Sequence, residues 1–167
     1  MILRKIDSVE RRFGVSMDYV RHIVRTSLRS FFKFAKVLSA ADYRRVLPLE
    51  PLHIARIVAT RDADCGTCVQ IEVNEAKRRG LDPDLLRAVV EGNVDALDEA
   101  SADVYRFTEA VVTANGEDEA LRERMRQRYG DEGLIELSMA MAACRFFPVI
   151  KRGLGYATRC SDVEIQV

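Results

Sequence analysis

The sequence contains no tryptophan and only four prolines among its 167 residues. Its 26 basic and 26 acidic side chains give a formal net charge of zero, so it lacks the basic excess that is typical of nucleic-acid binding. Because 48% of the residues are apolar, the composition also differs from that of disordered chains. We therefore expect one folded domain over residues 1–167 and no nucleic-acid partner.

Long apolar runs are also missing. The longest, Leu137–Cys144, is much shorter than the roughly 18–20 residues of a membrane-spanning helix. The first residues, Met-Ile-Leu-Arg-Lys-Ile-Asp, lack the apolar core of a signal peptide. We predict no membrane span and a cytoplasmic location, where the four cysteines would not form the disulfide framework of a secreted domain.

No stretch alternates like a β-strand, and the apolar residues recur at helical spacing, which predicts an all-α fold. A short amphipathic helix should end at Gly14, and a long helix from Met17 to Leu38 should follow, with Ser16 as its N-cap. Further helices are predicted over residues 52–60, 65–79, 83–91, 98–114, 117–129, 134–143 and 149–157. Residues 145–148, Arg-Phe-Phe-Pro, should separate the last two, and the apolar helix 134–143 is either a central helix or an oligomer contact.

Two cysteines, Cys65 and Cys68, stand three residues apart at the predicted start of a helix. The free N–H groups of the first helical turn favour a thiolate over a thiol there. Glu72 lies on the same helical face, because positions 65, 68 and 72 are spaced i, i+3, i+7. These are conditions for redox chemistry.

Two other uses of a Cys-x-x-Cys pair are disfavoured. A structural zinc site needs four ligands, and the remaining candidates, Cys144, Cys160, His22 and His53, include no second paired spacing. A thioredoxin-like motif follows a strand in a βαβ unit, whereas this pair lies between helices. We expect neither a metal nor a cofactor.

The pattern resembles the carboxymuconolactone decarboxylase-like superfamily, and within it the alkylhydroperoxidase D-like branch. The motif of that branch is a glutamate, eleven residues, Cys-x-x-Cys, three residues and a histidine. Cys65 and Cys68 match the pair, but His53 occupies the glutamate position and Glu72 the histidine position. The resemblance covers residues 49–80 best and extends loosely into the apolar helix and Arg145-Phe146-Phe147.

The resemblance implies a helical bundle in which residues 49–157 form the core, 1–48 an N-terminal extension and 158–167 a tail. It implies a peroxidase or disulfide reductase in which Cys68 attacks a hydroperoxide and Cys65 then resolves the sulfenic acid as a disulfide. It also implies an external dithiol reductant and a homo-oligomer, commonly a trimer or a hexamer.

The exchanged residues lead to a specific hypothesis. Glu72 alone would oppose a thiolate at Cys68 by like-charge repulsion, whereas an imidazole between the two could accept the thiol proton. We therefore predict that His53 bridges Glu72 and Cys68 in a proton relay.

Two other functions remain open. A lactone decarboxylase of the same superfamily would not require two thiols at this spacing. A non-enzymatic oligomer or partner-binding module, whose basic N-terminal helix docks on an acidic surface, would leave both cysteines as unreactive as free cysteine.

Overall fold

The computed structural model describes residues 2–167, except for the side chain of Ser39, and Met1 lies outside this range. Within it the chain forms eight α-helices and no strand, which confirms the all-α class. The helices are α1 Ile2–Phe13, α2 Asp18–Thr26, α3 Leu28–Ala41, α4 Leu49–Asp62, α5 Gly66–Arg78, α6 Pro83–Glu91, α7 Glu99–Thr113 and α8 Asp118–Gly153. Short 3-10 turns cover Val94–Ala96 and Cys160–Asp162.

Helix α4 lies at the centre of the fold. Its ten consecutive residues Pro51–Thr60 are all buried, and it packs against α5, α6, α7 and α8. Pro48 and Pro51 suit this position, because proline fits the first turn of a helix, where no intrahelical N–H bond is lost. The buried residues include Ile54, Ile57 and Val58, which are at most 4% exposed.

Helices α1–α3 form a second hydrophobic cluster against α5 and α8. Phe34 of α3 meets both Phe146 and Phe147 of α8, with ring centroids 6.0 and 5.7 Å apart. Such edge and tilted pairs add to the area that aromatic side chains bury. Residues of this cluster line a cavity together with Cys68.

The long helix predicted over residues 17–38 is in fact two helices. Ser27 has an extended backbone and ends α2, and its hydroxyl accepts the N–H of Ser30 to cap α3. The hydroxyl of Ser16 accepts the N–H of Asp18, but Met17 occupies the N-cap position of α2. A serine inside a periodic apolar pattern is thus a helix boundary that periodicity alone does not show.

The predicted interruption at residues 145–148 is wrong. Helix α8 continues through Pro148 to Gly153, and its helical geometry breaks only at Gly130, which has a φ of 71°. An interior proline costs about 3 kcal/mol. Phe146, Phe147 and Ile150, on either side of this proline, pack on the N-terminal cluster.

One window of α8 is long and apolar enough to cross a membrane by length and composition alone, although 44% of it is buried inside the fold. The central helix of a folded domain meets the same criterion. Leu137, Ala140 and Met141 face the core, and Ile135 and Met139 on the other side are exposed. The apolar helix predicted over residues 134–143 therefore packs on the core with one side and is exposed to solvent on the other.

A buried carboxylate, that of Glu136 on α8, holds the segment that leads into α4. It accepts the backbone N–H groups of Arg45, Val46 and Leu47 at 2.7 to 3.2 Å. The side chain is fully buried, so these donors replace the water that it would otherwise bind. This clamp fixes the start of α4 relative to α8.

Candidate functional site

A hairpin of α4 and α5 carries the cysteine pair. Cys65 is the N-cap of α5, and the chain reaches it through a tight turn in which Asp64 has a φ of 49°. Cys65 and Cys68 form a disulfide with their Cα atoms 5.2 Å apart. The prediction that the pair opens a helix is confirmed. When the bond is reduced, the N–H groups and dipole of this first turn favour negative charge on sulfur.

The C-terminal segment crosses the first turn of α5. Gly66 donates its N–H to the Thr158 carbonyl at 3.1 Å. A Cβ at residue 66 would lie only 2.8 Å from the Arg159 carbonyl oxygen, which explains why glycine stands directly after the first cysteine. The segment helps to cover the disulfide, since Cys65 is 0% and Cys68 only 6% exposed.

Residues at equal distance from the hairpin turn lie opposite each other. Arg56 of α4 therefore meets Glu72 of α5, with Arg56 Nε 2.7 Å from Glu72 Oε2 and Nη2 donating to Oε1 at 3.2 Å. By the same register His53 lies opposite the turn of α5 that contains Glu75. Along the axis of α5, this turn is about 10 Å from Cys68, because seven residues each add 1.5 Å.

The predicted bridge from His53 to Glu72 and Cys68 is not observed. The His53 ring is fully buried, and neither ring nitrogen has a hydrogen-bond partner within residues 2–167. Burial, aided by the positive charges of Arg56 and Arg79, lowers the pKa of His53 to about 3, so the ring is neutral at pH 7. Arg56, not His53, engages the Glu72 carboxylate. A part for His53 in catalysis stays a prediction that no observed hydrogen bond supports.

Glu72 has a second neighbour in the free thiol of Cys144 on α8, whose Sγ lies 3.8 Å from Oε1. Burial, together with the charge of Glu72, raises the pKa of Cys144, so this thiol stays protonated and inert. Burial also disfavours the charge of Arg56, but Glu72 outweighs it and the pKa of Arg56 is raised. The Arg56 guanidinium and the neutral Cys144 thiol thus both lie against the Glu72 carboxyl group.

A lysine approaches the cysteine pair from α8. Lys151 donates from Nζ to Oγ1 of Thr67, one of the two residues between the cysteines, and Thr67 Oγ1 lies 3.8 Å from Cys65 Sγ. The ammonium also lies 5.3 Å from the centre of the Tyr19 ring. Lys151 is 3% exposed, and burial lowers its pKa to about 8.

These groups share one cavity of about 700 Å³ between the N-terminal helices and the hairpin. Its polar wall contains Cys68, Glu72, Arg56, Cys144 and Lys151, and most of its other lining is apolar. Neither Cys65 nor His53 lines it. The two sulfurs of the pair are therefore not equivalent, because only Cys68 faces the space that a small molecule could enter.

No group of three or more histidine, cysteine or acidic side chains in the described part of the chain is placed to hold a metal ion. Cys144 and Cys160 are free thiols in separate places. The sulfur of Cys160 lies 3.9 Å from the Arg61 carbonyl, outside the cavity.

Sequence reasoning did not identify Arg56, Lys151 or Thr67 as site residues. Arg56 had a usable signal, because it is a charged residue within the otherwise apolar run His-Ile-Ala-Arg-Ile-Val-Ala. Lys151 had none, since its neighbourhood depends on how α8 packs against α5. Glu72 was identified, but its ion pair with Arg56 was not.

Comparisons with models of known protein families, with curated proteins and with solved structures found no match.

Proposed function

We propose that the protein is a thiol-dependent peroxidase or disulfide reductase in which Cys68 is the attacking cysteine and Cys65 resolves it. The observation that carries this proposal is the unequal placement of a bonded Cys-x-x-Cys pair. Cys68 lines the cavity, whereas Cys65 lies behind it at bonding distance.

The reaction needs few groups. The Cys68 thiolate attacks the outer oxygen of a hydroperoxide, the O–O bond breaks, and the alkoxide leaves as an alcohol after taking a proton. Cys68 is then a sulfenic acid. The Cys65 thiolate attacks its sulfur, hydroxide leaves and is protonated to water, and the disulfide forms. An external dithiol returns both sulfurs to thiols and is itself oxidised to a disulfide.

The surrounding charges suit the attacking step. A thiolate at Cys68 would gain from the positive charges of Arg56 and Lys151 and from the first turn of α5. Glu72 opposes the thiolate, but its ion pair with Arg56 reduces that repulsion. Glu72 can also accept a proton and pass it to the departing alkoxide, which takes the place of the relay first assigned to His53.

The test starts from reduced protein in which Cys144 and Cys160 are replaced by serine, so that only the pair can react. Hydroperoxide should convert it to a species lighter by two hydrogens, with one equivalent of peroxide consumed. Cys65→Ser should stop at a sulfenic acid on Cys68 that dimedone traps, and Cys68→Ser should not consume peroxide. Peroxide consumption that survives Cys68→Ser would reject the assignment.

We also propose that α8 joins copies of the chain. Ile135, Met139 and Val149 are 57%, 37% and 64% exposed and are spaced so that they share one side of the helix. Light scattering should show an oligomer that Ile135→Glu with Val149→Glu reduces to a monomer. A monomer at all concentrations in the parent protein would overturn this proposal.

A further inference from the structure

The inner end of the cavity has a cation without a carboxylate partner. Lys151 is 3% exposed, and its hydrogen bond goes to the neutral hydroxyl of Thr67. No carboxylate oxygen of residues 2–167 forms an ion pair with its Nζ. A buried ammonium that faces a cavity without a counter-charge is costly, and an anionic ligand would relieve the cost.

The other charges along the cavity are already matched. Arg12 pairs with Glu75 at 2.9 Å, and Arg79 pairs with Asp42 at 2.9 Å. Lys5 also lines the cavity but is exposed to solvent. Arg56 is paired with Glu72. Lys151 is therefore the buried cation of this cavity that remains able to pair with an incoming anion.

The rest of the lining is an apolar path to the surface. Ile6 and Phe34 are buried, whereas Val9, Phe32 and Leu38 line the same cavity and are 39%, 56% and 50% exposed. The path therefore leads from Lys151 and Cys68 outward between α1 and α3. Exposed apolar side chains at a cavity mouth are typical of a binding site for an apolar ligand.

We propose that this cavity binds carboxylic acids with a long aliphatic chain, with the carboxylate on Lys151 and the chain along α1 and α3 towards the surface. If the protein is the peroxidase proposed above, its substrates are the hydroperoxides of such acids. This assignment of a substrate class rests on the proposed function, whereas binding of the acids does not.

The features of the cavity favour this ligand over other anions. One ammonium supplies a single charge, which matches a carboxylate, whereas a phosphate dianion would need further donors. The other buried arginine of the lining, Arg56, is paired with Glu72, and most of the remaining lining is apolar. The volume of about 700 Å³ lies within the roughly 300–1,000 Å³ of small-molecule sites.

Binding can be measured on the oxidised protein, in which the disulfide prevents peroxide turnover. Titration calorimetry with dodecanoate and with 1-dodecanol compares two ligands that differ only in the head group. Dodecanoate should bind about 10-fold more tightly, the value expected of one charged hydrogen bond in a partly solvated site. Lys151→Met should abolish this preference and leave dodecanol binding unchanged, which also shows that the variant is folded.

Lys5→Met is the matched control, because it removes the exposed lysine of the same cavity and should preserve the preference. Equal binding of the two ligands to the parent protein, no binding of either, or a preference that survives Lys151→Met would overturn the proposal. These outcomes do not depend on peroxidase activity, so they are distinguishable from failure of the proposed function.

A kinetic comparison then connects the two proposals. The reduced protein should have a kcat/KM for linoleic acid hydroperoxide about 10-fold above that for its methyl ester, which has the same chain and peroxide but no charge. Lys151→Met should equalise the two. Turnover of both substrates at equal rates by the parent protein would reject the substrate class while supporting the peroxidase.

Discussion

Arg56 Nε lies 2.7 Å from Glu72 Oε2 in the interior of the hairpin, where the two side chains are only 11% and 9% exposed. Arg56 has a second, longer contact of 3.8 Å from Nη1 to the exposed carboxylate of Asp42, so removal of Glu72 leaves the buried guanidinium only weakly compensated. This ion pair, rather than a histidine, controls the electrostatic environment of Glu72. Substitutions that break this ion pair should therefore change the reactivity of the Cys68 thiol.

We expect His53→Gln to leave the alkylation of Cys68 unchanged and Glu72→Gln to accelerate it at neutral pH. The first follows because His53 faces another level of α5, and the second because the variant removes the carboxylate and frees the Arg56 charge to favour the thiolate. The measurement is the rate of iodoacetamide labelling of reduced protein from pH 5 to 9, followed by peptide mass spectrometry.

The control in this experiment is Glu75→Gln, which removes an acid of the same helix one level further from Cys68. It should leave the labelling profile in place. A His53→Gln profile displaced to higher pH would instead restore the relay that the sequence predicts.

The sequence predicted the helical class, the end of the first helix at Gly14, and the cysteine pair at the start of α5, because these depend on local backbone preferences. The partner of Glu72 could not be predicted in this way. It depends on the register of a hairpin, and a difference of one turn exchanges Arg56 for His53. Lys151 depends on a still longer-range contact, between α8 and α5.

Acid should destabilise the protein through His53. The folded pKa of about 3 lies below the ordinary value of 6.5, so the unfolded chain binds the extra proton first as the pH falls. The stability is complete above about pH 6.5 and declines from there towards pH 3. Between pH 7 and 5 the loss from this residue is about 2 kcal/mol.

Urea unfolding at pH 7 and 5 measures this loss as a difference between variants. His53→Leu should remove about 2 kcal/mol of the pH dependence, and His22→Leu, at an exposed histidine, is the comparison for loss of a histidine outside the core. Equal pH dependence in the parent and His53→Leu proteins would mean that the ring is not held neutral.

The Gly66 position should not tolerate a side chain. In Gly66→Ala the new Cβ would approach the Arg159 carbonyl and the Val163 side chain at 2.8 Å, so the C-terminal segment must move away. We expect a loss of about 1–3 kcal/mol in unfolding free energy. Hydrogen exchange at the Gly66 amide, which bonds to Thr158, should become faster.

Gly153→Ala is the matched control for this substitution. Its Cβ would meet no atom within 4 Å, and it lies in a helix, so the variant should be neutral or slightly more stable. If the two alanine variants had the same stability and the same exchange rates, the close approach of the C-terminal segment would be refuted.

Glu136→Gln should release the segment before α4. An amide offers one oxygen to the three backbone N–H groups that the carboxylate accepts, and its own N–H₂ group would face donors. Burial alone would raise the pKa of Glu136, but these N–H groups lower it, so the stabilisation is complete above its ordinary pKa and is lost in acid. Denaturant unfolding at pH 7 should show a loss of about 2–3 kcal/mol.

Glu132→Gln is the comparison for this last variant, because Glu132 lies one turn away on α8 and forms an exposed ion pair with Arg45 at 3.6 Å. Such pairs contribute less than about 1 kcal/mol, so this variant should be close to the parent protein. The two substitutions remove the same charge from the same helix. A large loss confined to Glu136→Gln therefore reports the buried backbone contacts, whereas equal small losses would show that the clamp does not hold α4 in place.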